Sequence, residues 1–169
     1  TALQRRTADA IVNVFETGTV RGGHDRIVVL PGDTGHLSYG RMQATLGSGN
    51  LHLLVKAYCE TPVARLASEL ARWLPRLAAR DTTLDHDPLL RGLLHSAASD
   101  PVMRASQDAF VTRVFLEPSL ARASALGLAS ALALAVVHDG AVHGSFARLR
   151  DRTCAQHGMP REIGEREWI

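Results

Sequence analysis

The stretch Thr19–Gly40, TVRGGHDRIVVLPGDTGHLSYG, breaks the texture of an otherwise helical, alanine-rich chain. A β-branched run, Ile27 to Val29, is bounded by Gly22-Gly23 and Pro31-Gly32, and a second short apolar stretch ends at Tyr39-Gly40. Apolar runs framed by turn formers predict a hairpin or small sheet. In its loop one acid, Asp33, stands among glycines and hydroxyls, with Gln43 on the far side. Alone, such an aspartate is a turn former, because its carboxylate bonds nearby backbone and glycine supplies positive φ. It acquires chemical meaning only beside a partner carboxylate.

Working outward, Ala2 to Glu16 places Ala8, Ile11 and Phe15, with Val12 beside them, at helical intervals, and Gly18 stops the helix. Downstream, a short helix is expected over Arg41 to Leu46 and another after Ser48 as cap. Pro62 opens a third, which runs through VARLASELARWL to a kink or break at Pro75. Asp81 to Asp87 reads as a polar connector. Further helices follow in PLLRGLLHSA, in DPVMRASQDAFVTRVFL with Asp100 as cap, in PSLARASALG and in LASALALAVVHDGAVHG. The fold class is α+β, predominantly α-helical, with one small β element near the N-terminus.

A chain of 169 residues suits one domain with a real core, and 46% apolar against 21% charged residues argues against disorder. Leu126 to Val137 is broken by Gly127 and Ser130 and is too short to span a bilayer, so no membrane span is expected. No export signal is visible. The net charge of +2 is spread, and Arg65, Arg72, Arg76 and Arg80 read as a solvated helix face. At 5% the aromatics are too few to suggest a nucleic-acid partner. GSGN at 47–50 lacks the lysine of a phosphate loop, no HExxH or G-x-S-x-G occurs, and His138 and His143 do not make a metal motif. No cofactor and no metal is expected, and Cys59 and Cys154 read as two unpaired thiols.

Carboxylates remain. Glycoside cleavage needs a protonated acid on the leaving oxygen and an ionised carboxylate that activates water or stabilises the cationic transition state. Glu16, at the C-terminal end of a helix, meets the negative end of the helix dipole and partial desolvation. Both disfavour its ionised form, as a general acid requires. Asp33 in its polar loop is the ionised partner. Ser38 and Thr34 are placed to hold a water against it, and the glycines at 32, 35 and 40 let a polymer approach the backbone.

The set NVFETG, GDTGHLSYG, GSGNLHLLVKAYC, QDAFVTRVFLEPSLARASALGL and VVHDGAVHGSFARLRDRT, in this order and spacing, resembles the chitosanases of glycoside hydrolase family 46 over most of the chain. The resemblance implies a two-lobed lysozyme-like fold and one glycoside hydrolase domain over 1–169, lacking the further helix into which relatives continue. It implies Glu16 as general acid, Asp33 as general base of an inverting mechanism, and Ser38 as the hydroxyl that places water. Inversion predicts carboxyls about 6.5–9.5 Å apart. Asp139 resembles the family's buried acid beneath the cleft. Thr34, His36, Tyr39 and Gln43 are expected to contact substrate, as are Arg41, Asn50 and His143.

Two departures from the family direct the substrate expectation. Asn50 stands where a substrate-binding aspartate aligns, and the chain is basic overall, with Arg41 beside the site. Both favour an anionic polymer over polycationic chitosan. The expectation is therefore a muramidase cleaving the β-1,4 glycan of peptidoglycan, secreted or delivered to the periplasm or cell wall. Chitosan hydrolysis is the alternative, and a non-catalytic glycan-binding module the rival of another class. If the chain is an antibacterial toxin domain, a cognate inhibitor or immunity protein would be its partner.

Overall fold

The computed structural model describes residues 23–169, together with Leu3, Arg6, Thr7, Ala10, Ile11 and Val14, which are helical. The chain divides into two compact units, residues 21–110 and residues 1–20 with 111–169.

The first unit is built on the expected β element. Strands β1 (Ile27–Val28), β2 (Ser38–Tyr39) and β3 (Ala44–Thr45) form an antiparallel sheet in chain order. Ile27 lies opposite Tyr39, Val28 opposite Ser38, and Ser38 opposite Thr45. The helix expected over Arg41–Leu46 does not form. Gly40 at φ 82° and Gln43 at φ 48° are both left-handed, and Gln43 donates to the Gly40 carbonyl from its backbone N (3.1 Å) and its Nε2 (2.8 Å). That closes a tight turn, and the chain leaves it as β3.

Helix α1 (Asn50–Cys59) follows and buries Leu51, Leu54, Val55 and Tyr58. Its N-cap is Gly49 in the left-handed region, while Ser48 Oγ accepts from Asn50 N at 3.2 Å. The long helix expected from Pro62 is instead a run of turns, then α2 (Ala67–Ala71) and α3 (Leu74–Ala78), with Pro75 in the first turn of α3. The cause lies in the backbone donors. Arg65 N is taken by Asp100 Oδ2 at 2.9 Å and Leu66 N by Tyr58 Oη at 3.0 Å, so neither serves an i→i−4 bond.

Residues Thr82–His86, expected as connector, form a 3₁₀ turn that Asp81 caps through Thr83 N. Hydrogen bonds from Thr83 and Arg76 hold the Asp81 carboxyl down at about 2. Asp87 caps α4 (Pro88–Ala97), accepting from Leu89 N and Leu90 N at 3.0 Å each. Asp100 accepts from Val102 N at 2.9 Å at the start of α5 (Pro101–Val111), as its position before Pro101 predicts.

In the second unit a π-helical segment, Thr112–Leu116, precedes α6 (Glu117–Ala125), where Pro118 has no N–H for the ladder and Ser119 Oγ donates to the Phe115 carbonyl at 2.6 Å. Gly127, at φ 74°, separates α6 from α7 (Ala131–Val142), which starts at the cap Ser130. Helices α8 (Phe146–His157), α9 (Pro160–Ile163) and α10 (Glu165–Trp168) complete it. Ala123, Leu128, Ala133, Val137, Phe146 and Trp168 form its core. Cys59 and Cys154 are free thiols, and among the described residues no helix is long and apolar enough to cross a membrane.

Candidate active site

The β1–β2 loop exposes Asp33. The turn that carries it is closed by Asp33 N to Leu30 O (3.1 Å) and His36 N to Asp33 O (3.3 Å), and Asp33 Oδ1 accepts from Gly35 N at 3.0 Å. Among the described residues Oδ2 accepts no hydrogen bond, so one carboxylate oxygen is anchored and the other faces solvent. A Cβ at Gly35 would press on the carboxylate, standing 3.1 Å from Asp33 Oδ2 and 3.2 Å from Thr45 Cγ2. Thr34 is exposed beside Asp33, and its carbonyl is packed so closely on Gly47 that a Cβ there would overlap it.

Ser38 is only 8% exposed. Its Oγ lies 3.1 Å from Val28 O and 2.8 Å from Gln43 Oε1. A hydroxyl has one proton, so Ser38 spends it on one of these acceptors and meets any water as an acceptor. Gln43, expected to touch substrate, uses both ends of its amide within the sheet, on Ser38 and on Gly40 O. His36 is left-handed at φ 57°, and its Nδ1 lies 2.8 Å from Asp85 Oδ2.

The far end of the sheet is pinned by α5. Gln107, 2% exposed, accepts from Arg41 N at 3.0 Å and donates to His24 O at 2.9 Å, and a Cβ on Gly40 would fall 2.5 Å from its Oε1. Arg41 Nη1 pairs with Asp108 Oδ1 at 2.6 Å, and His24 Nε2 stands 3.5 Å from the same oxygen.

Several expectations are corrected by these positions. Tyr39 does not offer a substrate contact: its side chain is fully buried, and burial pushes its phenol well above the ordinary range. Asp139 is not a buried acid, since its side chain is 45% exposed and pairs with His143 Nε2 at 3.4 Å, one helical turn on. The buried neighbour is His138, whose Nδ1 lies 3.4 Å from Ser119 Oγ. Asn50 is half-buried as the first residue of α1, its N–H spent on Ser48. Glu16 lies outside the described residues. Asp33, Thr34 and His36 share the loop and Ser38 lies on β2 that follows it, whereas Asp139 and His143 belong to the other unit. Asp85 and Gln107 were not singled out, because nothing in TTLDHD or ASQDAF marks a residue that will anchor a loop 48 or 66 positions away.

The profile of glycosyl hydrolase family 46 matches residues 10–169. The chain belongs to that family. It is 30% identical to the chitosanase of Bacillus subtilis strain 168 over 181 aligned residues, covering 98% of this chain and 63% of the relative, so it spans less than two thirds of that protein. The native chitosanase of Bacillus subtilis MY002 superposes with a TM-score of 0.81 at 26% identity, over 98% of this chain and 72% of that one. The chitosanase of Gynuella sunshinyii in complex with chitotetraose gives 0.81 at 28%, over 99% and 73%. The mostly helical, lysozyme-like class with one small sheet is the class found.

These family-46 relatives overturn the peptidoglycan expectation, and the muramidase and antibacterial readings fall with it. The charge argument failed for a physical reason. Arg41, the cation on which it leaned, is 12% exposed and ion-paired with Asp108, which is 53% exposed, so it presents no unbalanced positive charge to a polymer.

Proposed function

We propose that this glycosyl hydrolase family 46 chain cleaves chitosan internally, with Asp33 as general base and Glu16 as general acid. The observation that carries the reading is the Asp33 carboxylate, exposed and fixed by Gly35 N in a chain matched by the family over residues 10–169. A bound water donates one proton to Asp33 and the other to Ser38 Oγ, whose own proton is committed to Val28 O or Gln43 Oε1. That arrangement leaves the water lone pair for the anomeric carbon while Glu16 protonates the departing oxygen. Chitosan carries an amine on each sugar, and an exposed carboxylate loop suits a cationic chain.

The test is release of reducing ends from chitosan by the purified chain, with ¹H NMR of the first-formed anomer. The expected product is inverted. Asp33→Asn and Glu16→Gln should each lower kcat by about 10²–10⁴. No release of reducing ends by the parent, or undiminished turnover in Asp33→Asn, would overturn the assignment.

A further inference from the structure

We propose that Asp85 is a positioning residue for the reaction: by bridging the His36 ring and the Leu37 amide, its carboxylate fixes the left-handed turn that sets Asp33. The inference rests on Asp33 as base. Asp85 Oδ2 lies 2.8 Å from His36 Nδ1, and Asp85 Oδ1 accepts from Leu37 N at 2.8 Å. A carboxylate only accepts, so Nδ1 of His36 carries the proton. The two bonds grip consecutive residues, one through its side chain and one through its backbone, and so determine the orientation of the peptide between them.

The turn needs such a grip. His36 holds φ 57° without being glycine, a conformation that costs about 1 kcal/mol or more and persists only where its surroundings enforce it. Most bonds of the turn are internal to it: Asp33 N to Leu30 O, His36 N to Asp33 O, and Gly35 N to Asp33 Oδ1. Gly47 N to Gly35 O and Leu46 N to Leu37 O tie it to the turn that follows β3. Among the described residues, the Asp85 pair alone ties 31–37 by hydrogen bonds to an element beyond the sheet and the turn that follows β3. The anchor is itself held. Leu84 beside it is fully buried, Leu84 N donates to Asp81 O at 3.1 Å, and Arg91 Nη1 donates to Asp85 O at 3.2 Å. Asp85 is 13% exposed and His36 36%, so the bond is shielded on the aspartate side. The mechanism depends on a base held to a fraction of an ångström, since misplacement by about 1 Å costs on the order of 10²-fold.

The experiment compares Asp85→Ala, Asp85→Asn and His36→Gly by steady-state kinetics on a glucosamine hexamer, with melting temperatures and amide exchange of residues 33–38. Asp85→Ala should lower kcat about tenfold or more with KM within about threefold. Asparagine can accept from Leu37 N and donate to the other tautomer of His36, so Asp85→Asn should recover kcat to within about threefold of the parent. His36→Gly keeps the left-handed backbone and loses one of the two bonds, so its kcat should fall by about threefold or more. A folded Asp85→Ala with kcat within twofold of the parent overturns the proposal, as does an asparagine variant that falls as far as alanine. Should Asp85→Ala not fold, unchanged kcat in His36→Gly overturns it. A parent that does not cleave the hexamer removes the chitosan reading instead. The positioning claim is then decided by exchange at Leu37, which must accelerate in Asp85→Ala, or in His36→Gly should the alanine variant not fold, and unaltered protection there would refute it.

Discussion

Gly47→Ala tests whether the Asp33 loop is set by contact with the turn that follows β3. Gly47 is not in the left-handed region, so alanine is accessible to its backbone and the whole effect is steric. The added Cβ would overlap the Thr34 carbonyl oxygen and stand 3.2 Å from Thr34 C and 3.3 Å from Gly35 Cα. These are backbone atoms, so no side chain can swing aside, and the Thr34–Gly35 peptide must retreat by roughly 1 Å. Asp33 is bonded through that peptide and through Gly35 N, so its carboxylate moves with it. Displacement on this scale predicts a kcat loss of about 10- to 100-fold on a glucosamine hexamer. Overpacking at about 1–3 kcal/mol and weakening of the Gly47 N to Gly35 O bond, 2.9 Å, at about 1 kcal/mol lower the melting temperature by about 5–15 °C. The assay is kcat at 25 °C beside a thermal melt. Gly92→Ala is the control: a Cβ at that exposed α4 position meets nothing within 4 Å, so alanine should raise the melting temperature by a few degrees, about 1 kcal/mol, and leave kcat unchanged. A Gly47→Ala protein with kcat within twofold of the parent and an unshifted melt would refute the packing argument.

Asp100, 2% exposed, accepts from Tyr58 Oη, Arg65 N and Val102 N, so Asp100→Ala strands one buried and two half-buried donors and should cost about 3–5 kcal/mol in urea unfolding. Burial opposes its charge, yet those three donors and the nearby Arg65 hold the Asp100 carboxyl below the ordinary range; its contribution is complete above that range and disappears as pH falls through it, so acid titration of stability should flatten in Asp100→Asn. Burial likewise depresses the His138 imidazole, against the opposing pull of Asp139 and the Phe115 carbonyl. The unfolded chain therefore takes up a proton that the folded one refuses. Stability should fall as pH drops below about 6.5, and His138→Gln should reduce that slope in calorimetry. Glu165 accepts from Ala129 N and Ser130 N ahead of α7, so Glu165→Ala should lower the melting temperature while kcat on chitosan holds.

What the sequence discloses divides along physical lines. Features set by neighbours a few positions away were legible: the break at Gly127, the cap Asp100, the break at Pro75, and the small sheet framed by Pro31-Gly32 and Gly40. Misread segments are those where a distant side chain takes the backbone donors. Arg65 and Leu66 lose their N–H groups to Asp100 and Tyr58, and no periodicity in VARLASELARWL reports that. Arg41–Leu46 has helical composition, but Gln43 turns its amide onto Gly40 O and the chain reverses. The place of Asp33 in an exposed turn was legible because aspartate among glycines is a local signal, and Glu16, its expected partner, lies outside the described residues. The substrate was misjudged because net charge counts Arg41 as a free cation, whereas its worth depends on Asp108, 67 residues away.

The loop that carries Asp33, the proposed base, answers a conflict that any such carboxylate faces. In the proposed role Asp33 has to stay in water to meet a polymer and a nucleophile, yet exposed loops give up the packing that fixes atoms. Here the fixing is moved to the rim. Left-handed residues His36, Gly40 and Gln43 bend the chain tightly on either side of β2, and each is held by polar partners: Asp85 on His36, Gln107 against Gly40, and Ser38 on Gln43. Asp85 and Gln107 come from different helical elements, the 3₁₀ turn and α5, so the two ends of the turn-bearing segment are set by separate supports. Loosening one end should leave the other registered. A clamp at Asp85 therefore affects Asp33 and its water without dissolving the sheet, whereas a change at Gln107 displaces Arg41 and His24 first. Rate and stability should consequently respond to the two supports in different proportions.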